Sequence, residues 1–221
     1  MDFFESLLAI IAPHSCMKCN KQGELLCLEC AGELPTKLAT CYNCNRLSNG
    51  GKTCVACKRQ TALAGVVVAH HYNEAVKALV LALKYEHKVA AAKIFAPKLT
   101  PLLSSTNFDV VTAIPGAPSR YRHRGYHQAE LIAKRVAREL GLPYRPILGR
   151  LEVDSQVGSS RGQRFLRVKD SFWVRRSQAV DGQRVLIIDD VLTTGATLSE
   201  AARTIKTAGA KSVWGAVVAK H

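Results

Sequence analysis

Residues 185–198, VLIIDDVLTTGATL, decide the fold. The apolar run from Val185 to Ile188 suits a strand buried on both faces. Two adjacent carboxylates, Asp189 and Asp190, stand at its end. Val191, Leu192, Thr193, Thr194, Gly195, Ala196 and Thr197 then lead directly into a helical pattern. Backbone N–H groups at a helix start, joined by the hydroxyls of Thr193, Thr194 and Thr197, form a cradle for a phosphate monoester. No lysine follows Gly195, so this is not a Walker A loop, and GxGxxG is also absent. Carboxylates beside an anion site repel the anion, which makes sense if they hold sugar hydroxyls or a hydrated magnesium instead.

Outward from this stretch, strand and helix patterns alternate. Strands are expected at 64–70, 108–114, 184–190 and 211–219. Helices are expected at 74–84, 89–103 with Pro97 as a kink or break, 128–140 stopped by Gly141, and 197–208. Strands separated by helices predict an α/β fold with a parallel sheet, in which ligands sit at the carboxyl ends of the strands.

The 185–198 stretch resembles the 5-phosphoribosyl 1-pyrophosphate (PRPP) motif of type I phosphoribosyltransferases. The resemblance implies that Asp189 and Asp190 hold the ribose 2′- and 3′-hydroxyls and that residues 191–197 wrap the 5′-phosphate. It also implies magnesium, bound with PRPP. Two further segments narrow the likeness. Residues 114–128, IPGAPSRYRHRGYHQ, contain Arg124, Gly125, Tyr126 and Gln128, a core that looks like ComF-type proteins associated with DNA uptake. There Pro115 and Gly116 occupy the place of the pyrophosphate loop, with Arg120, Arg122 and Arg124 as its basic residues. Residues 155–172 resemble the mobile loop of the same group, with Gln156, Arg161, Arg164 and Arg167 along it, and depart from it at Ser159 and Arg167.

The eight cysteines form four CxxC pairs, Cys16/Cys19, Cys27/Cys30, Cys41/Cys44 and Cys54/Cys57. Zinc takes four soft ligands in a tetrahedron, and a CxxC turn presents two of them from one knuckle. Four knuckles therefore predict two structural zinc ions in a double zinc ribbon at residues 1–60, ahead of a phosphoribosyltransferase-like domain at 61–221. Sequential pairing joins the first two knuckles and the last two; an interleaved pairing stays open on spacing alone. Metal here replaces a hydrophobic core in a segment too small to have one.

Residues 3–12 are too short to span a bilayer, and the acids Asp2 and Glu5 stand where a secretion signal carries basic residues. They read as a short amphipathic helix, and with free thiols they predict a cytoplasmic protein without membrane insertion. The 48 % apolar content excludes a wholly disordered chain of this 221-residue length. Lys and Arg outnumber Asp and Glu by 31 to 17, a formal charge of +14 that points to an anionic partner. Residues 120–184 carry 15 basic against 6 acidic side chains, so the surplus gathers around the loops implicated above.

Two readings follow. In one, a PRPP-binding phosphoribosyltransferase-fold protein of the ComF type handles single-stranded DNA during natural transformation, alongside other DNA-uptake proteins. In the other, the chain is an active phosphoribosyltransferase moving ribose 5-phosphate to a nitrogen acceptor. No general base and no acceptor pocket can be read from the residues.

Overall fold

In chain order the elements are α1 (Leu28–Gly32), a 3-10 turn (Asn49–Gly51), α2 (Val55–Lys58), β1 (Gly65–His71), α3 (Glu74–Tyr85), α4 (Ala90–Leu103) and β2 (Val110–Ala113). There follow α5 (Gln128–Leu140), β3 (Leu148–Arg150), β4 (Phe172–Val174), β5 (Arg184–Leu192), α6 (Ala196–Thr207) and β6 (Ser212–Lys220). The structure, a computed structural model, describes residues 15–85, 90–117, 125–151, 170–175 and 180–221. The expected helix at 3–12 lies outside these.

The expected parallel sheet is present, in the order β1-β6-β5-β2. Its two faces bury separate clusters. On one, Val76, Leu79 and Leu83 of α3, Phe95 and Leu99 of α4, and Ile132 and Val136 of α5 pack against Leu186, Ile188 and Trp214. On the other, Leu198, Ala201, Ala202 and Ile205 of α6 cover Val185, Ile187, Val213 and Val217. Side chains alternate across a strand, so an all-apolar run such as 185–188 needs a cover on each side. The chain is thus a parallel sheet flanked by helices.

Three details differ from the sequence pattern. β5 continues past Asp190, because β6 offers it partners as far as Ala219 for Val191 and Lys220 for Leu192. α4 runs through both Pro97 and Pro101 without ending; the fully buried Phe95, Leu99 and Leu103 hold it on the sheet against the missing N–H donors. An antiparallel pair, β3 with β4, was not expected. Three-residue strands are too short to show a period of two. In it Gly149 faces Trp173, whose indole occupies the space a β-carbon there would need.

At the amino ends of β2 and β5, Asp109 accepts hydrogen bonds from the Arg184 backbone N–H (2.7 Å), Nε (3.0 Å) and Nη2 (2.6 Å). The cysteine-rich segment is fastened along β1. The Lys37 N–H donates to the Ala69 carbonyl, the Thr53 N–H donates to the Ala64 carbonyl, and Thr36 bridges to His70. Cys16, Cys27 and Cys30 join the cluster on the α3–α5 face with Leu25, Leu26 and Leu34. Tyr42 joins the cluster on the α6 face.

Candidate phosphate site beside a cysteine knuckle

Strand β5 delivers Asp189 and Asp190 to the carboxyl edge of the sheet, where both are half-buried. The Asp190 N–H donates to Asp189 Oδ1 (2.8 Å) and the Val191 N–H to Asp190 Oδ1 (2.7 Å). These short local bonds fix the two carboxyl groups at the mouth of the loop. Gly195 then turns the chain into α6 with φ 78°, a left-handed conformation that suits glycine. The Ala196 N–H bonds to Thr194 Oγ1 (3.3 Å), while Thr193 is exposed and Thr194 and Thr197 are half-buried. The amides of a first helical turn have no acceptor within their own helix. With adjacent hydroxyls and the positive end of the helix dipole, they favour an anion.

Beside the loop lies a cavity of about 510 Å³, lined by Thr193 and Thr194, by Lys220 and His221 at the end of β6, and by Tyr42, Asn43 and Asn45. Sequence reasoning placed none of the last five at the site. Lys220 is 7 % exposed and donates from Nζ to the Tyr42 carbonyl and to Asn45 Oδ1, each at 2.6 Å. Burial, and then the charge of Lys37, push its pKa down, opposed by the Cys41 and Cys44 thiolates. A lysine closing the apolar run of residues 213–219 is the signal that could have marked it. Tyr42 was hidden because it looks like filler between two metal ligands.

Pro115 and Gly116 follow β2, whose neighbour in the sheet is β5, so the turn sits at the same edge. They line a second cavity of about 550 Å³ together with His127, Glu130, Arg150 and Arg175. Arg150 Nη1 donates to the Pro115 carbonyl (3.4 Å) and Arg175 Nε to the Leu148 carbonyl (3.2 Å). Arg120, Arg122 and Arg124, and Gln156, Arg161, Arg164 and Arg167, lie outside the described residues.

The cysteines gather in the sequential arrangement: Cys16, Cys19, Cys27 and Cys30 in one quartet, Cys41, Cys44, Cys54 and Cys57 in the other. Within each, the four Sγ atoms lie within 4.8 Å of one another. Sulfurs at ~2.3 Å from zinc in a tetrahedron are separated by ~3.8 Å. Cys19 and Cys27 are at 3.7 Å and Cys44 and Cys54 at 3.6 Å. The backbone N–H of Cys27 holds the Cys16 thiol down, to a pKa of about 6. Burial raises the Cys41 thiol, but the N–H groups of Cys54, Cys44 and Asn43 outweigh it and bring it to about 6. Cys19, Cys30 and Cys57 are shifted upward instead, so it is the softness and the spacing of the four donors that fit structural zinc.

Among the described residues no helix is long and apolar enough to cross a membrane. A phosphoribosyl transferase domain matches residues 127–221. The competence protein ComFC of Streptococcus pneumoniae is 28 % identical over 95 % of this chain and 90 % of its own. Competence protein F of Haemophilus influenzae is 26 % identical over 90 % and 88 %. DNA utilization protein YhgH of Salmonella typhimurium is 24 % identical over 92 % and 96 %. With the observed sheet and cysteine quartets, these likenesses support a ComFC-type protein; the fold is a parallel sheet flanked by helices as in type I phosphoribosyltransferases, and the cysteine clusters fit a zinc ribbon.

Proposed function

We propose that the loop after β5 binds magnesium PRPP and that the protein uses this site while handling single-stranded DNA in the cytoplasm during DNA uptake. Asp189 and Asp190 take the ribose hydroxyls, residues 193–197 take the 5′-phosphate, and the Pro115-Gly116 turn faces the pyrophosphate. Zinc fills both cysteine quartets and holds a metal-stapled segment, residues 1–60, on the transferase-like part at 61–221. The observation that carries this reading is the junction itself: two carboxylates at a strand end, then a helix start whose Thr193 and Thr194 open on a cavity. The names of the competence and DNA utilization relatives support the DNA role, as does a formal charge of +14.

Titration calorimetry with magnesium PRPP tests the site. The chain binds, and Asp190→Asn loses about 1.5–3 kcal/mol, roughly ten- to a hundredfold, as for a hydrogen bond to a charged group. Unchanged affinity in that variant removes Asp190 from the site.

The cavity beside the loop favours a second reading, in which a nitrogen nucleophile enters there and displaces pyrophosphate from C1 of the pentose. Charge then develops on the leaving pyrophosphate, where magnesium and basic residues stabilise it. Pyrophosphate release from PRPP, with and without single-stranded DNA and candidate amines, separates the two. Release that needs an amine supports transfer chemistry, whereas binding without release supports a ligand-sensing role.

A further inference from the structure

The Cys41–Cys44 knuckle touches the phosphate loop from two directions. The ring of Tyr42 lies against Gly195, so that a β-carbon there would stand 3.1 and 3.2 Å from Tyr42 Cε2 and Cδ2. The Tyr42 hydroxyl donates to Thr61 Oγ1 (2.5 Å), which lies 3.4 Å from the Ser199 hydroxyl in the first turn of α6. From the other direction comes Lys220, the register partner of Leu192, the residue before Thr193. Its ammonium holds the carbonyl of Tyr42 and the side chain of Asn45. His221 adds an N–H bond to the Leu192 carbonyl (3.2 Å). The loop is therefore held at its entry by the end of β6 and at Gly195 by the tyrosine.

What keeps the knuckle in shape is local. Cys41 N–H bonds to the Arg46 carbonyl (2.8 Å), Asn45 N–H bonds to the Cys41 carbonyl (2.9 Å), and Asn45 takes φ 60°. A turn this short and polar has little core of its own, so the metal closing Cys41, Cys44, Cys54 and Cys57 supplies its rigidity. Four thiolates on a divalent ion leave a formal dianion, a counter-charge for the buried Lys220 ammonium. The first quartet differs. Its buried cysteines pack in the cluster on the α3–α5 face, and none of its residues lines the cavity at Thr193 and Thr194.

We propose that the second cysteine quartet, acting through Tyr42 and Lys220, positions the phosphate loop, so that the metal it holds sets the affinity of that loop while the metal of the first quartet does not. Tyr42 and Lys220 are then positioning residues. The inference rests on the reading of the loop as the PRPP site.

The test compares the zinc-loaded full chain with Cys16→Ser/Cys19→Ser, Cys41→Ser/Cys44→Ser and Lys220→Met. Zinc content, melting temperature and affinity for magnesium PRPP are measured for each. Both double variants lose one zinc. The first-quartet variant keeps its affinity within about twofold, whereas the second-quartet variant and Lys220→Met weaken it by about tenfold or more, a loss of ~1.4 kcal/mol. Equal weakening by the two double variants overturns the proposal, since a general loss of stability does not tell them apart. Lys220→Met binding as the unaltered chain does also overturns it, and decides alone if Cys41→Ser/Cys44→Ser does not fold. An unaltered chain that binds no PRPP removes the reading of the loop and this inference with it.

Discussion

Replacing Gly195 with alanine probes the loop where two demands meet. The residue sits at φ 78°, and a left-handed conformation costs a residue with a β-carbon ~1–2 kcal/mol. The new methyl also stands 3.1 and 3.2 Å from two ring carbons of Tyr42, inside the ~3.5–4.0 Å of a comfortable carbon contact. Tyr42 has little room to retreat, because its hydroxyl is bonded to Thr61 and its carbonyl to Lys220. Overpacking of this kind adds ~1 kcal/mol or more. The expected loss is about 2–4 kcal/mol, and at ~2–4 °C per kcal/mol for a chain of this size the melting temperature falls by roughly 5–15 °C. Gly182→Ala is the control. It shares the positive φ, 66°, but its β-carbon meets nothing within 4 Å, so it carries the conformational cost alone. Thermal unfolding of the zinc-loaded chain, followed by circular dichroism, measures both. A Gly195→Ala loss no larger than that of Gly182→Ala refutes the claim that Tyr42 is fixed against the loop.

Other outcomes follow from the cysteine quartets, the Asp109–Arg184 pair and the basic residues of the sequence. Exhaustive chelation of the purified chain releases two zinc ions, one for each quartet; recovery of one assigns four cysteines another role. The Asp109 carboxyl is held at about 2, below its ordinary 3.8, by hydrogen bonds from Arg184. A depressed carboxylate contributes stability that is full above the ordinary value and lost as pH falls through the folded one. The stability gap between the chain and Asp109→Asn is therefore constant down to about pH 4 and closes between there and pH 2; parallel curves over that interval contradict the assignment. For single-stranded DNA, Arg122→Ala/Arg124→Ala weakens binding and reduces the slope of log K against log salt by about one to two. An unaltered slope takes both arginines out of the interface.

The legible part of this protein was the part governed by period and spacing. The run 185–188 announced a strand covered on both faces, and the buried Leu186 and Ile188 on one side with Val185 and Ile187 on the other bear that out. CxxC spacing announced metal knuckles, and the quartets form by sequential pairing, which spacing alone had left open. What stayed hidden depends on residues distant in sequence that meet only in three dimensions. Lys220 and Tyr42 are 178 positions apart, and neither carries a local pattern that names the other. The β3–β4 pair is three residues long on each side, below the length at which alternation shows. The prolines of α4 read as a break because their local cost is visible, while the packing of Phe95 and Leu99 that offsets it is not.

The central claim is that the turn after β5 grips a phosphate through its amides and hydroxyls. Amide spectra of the isotopically labelled chain, titrated with ribose 5-phosphate and magnesium, test it directly. The account predicts that the amides of residues 193–197 move first and saturate together, with Asp189 and Asp190 following. Amides of 193–197 that stay in place while others shift contradict it.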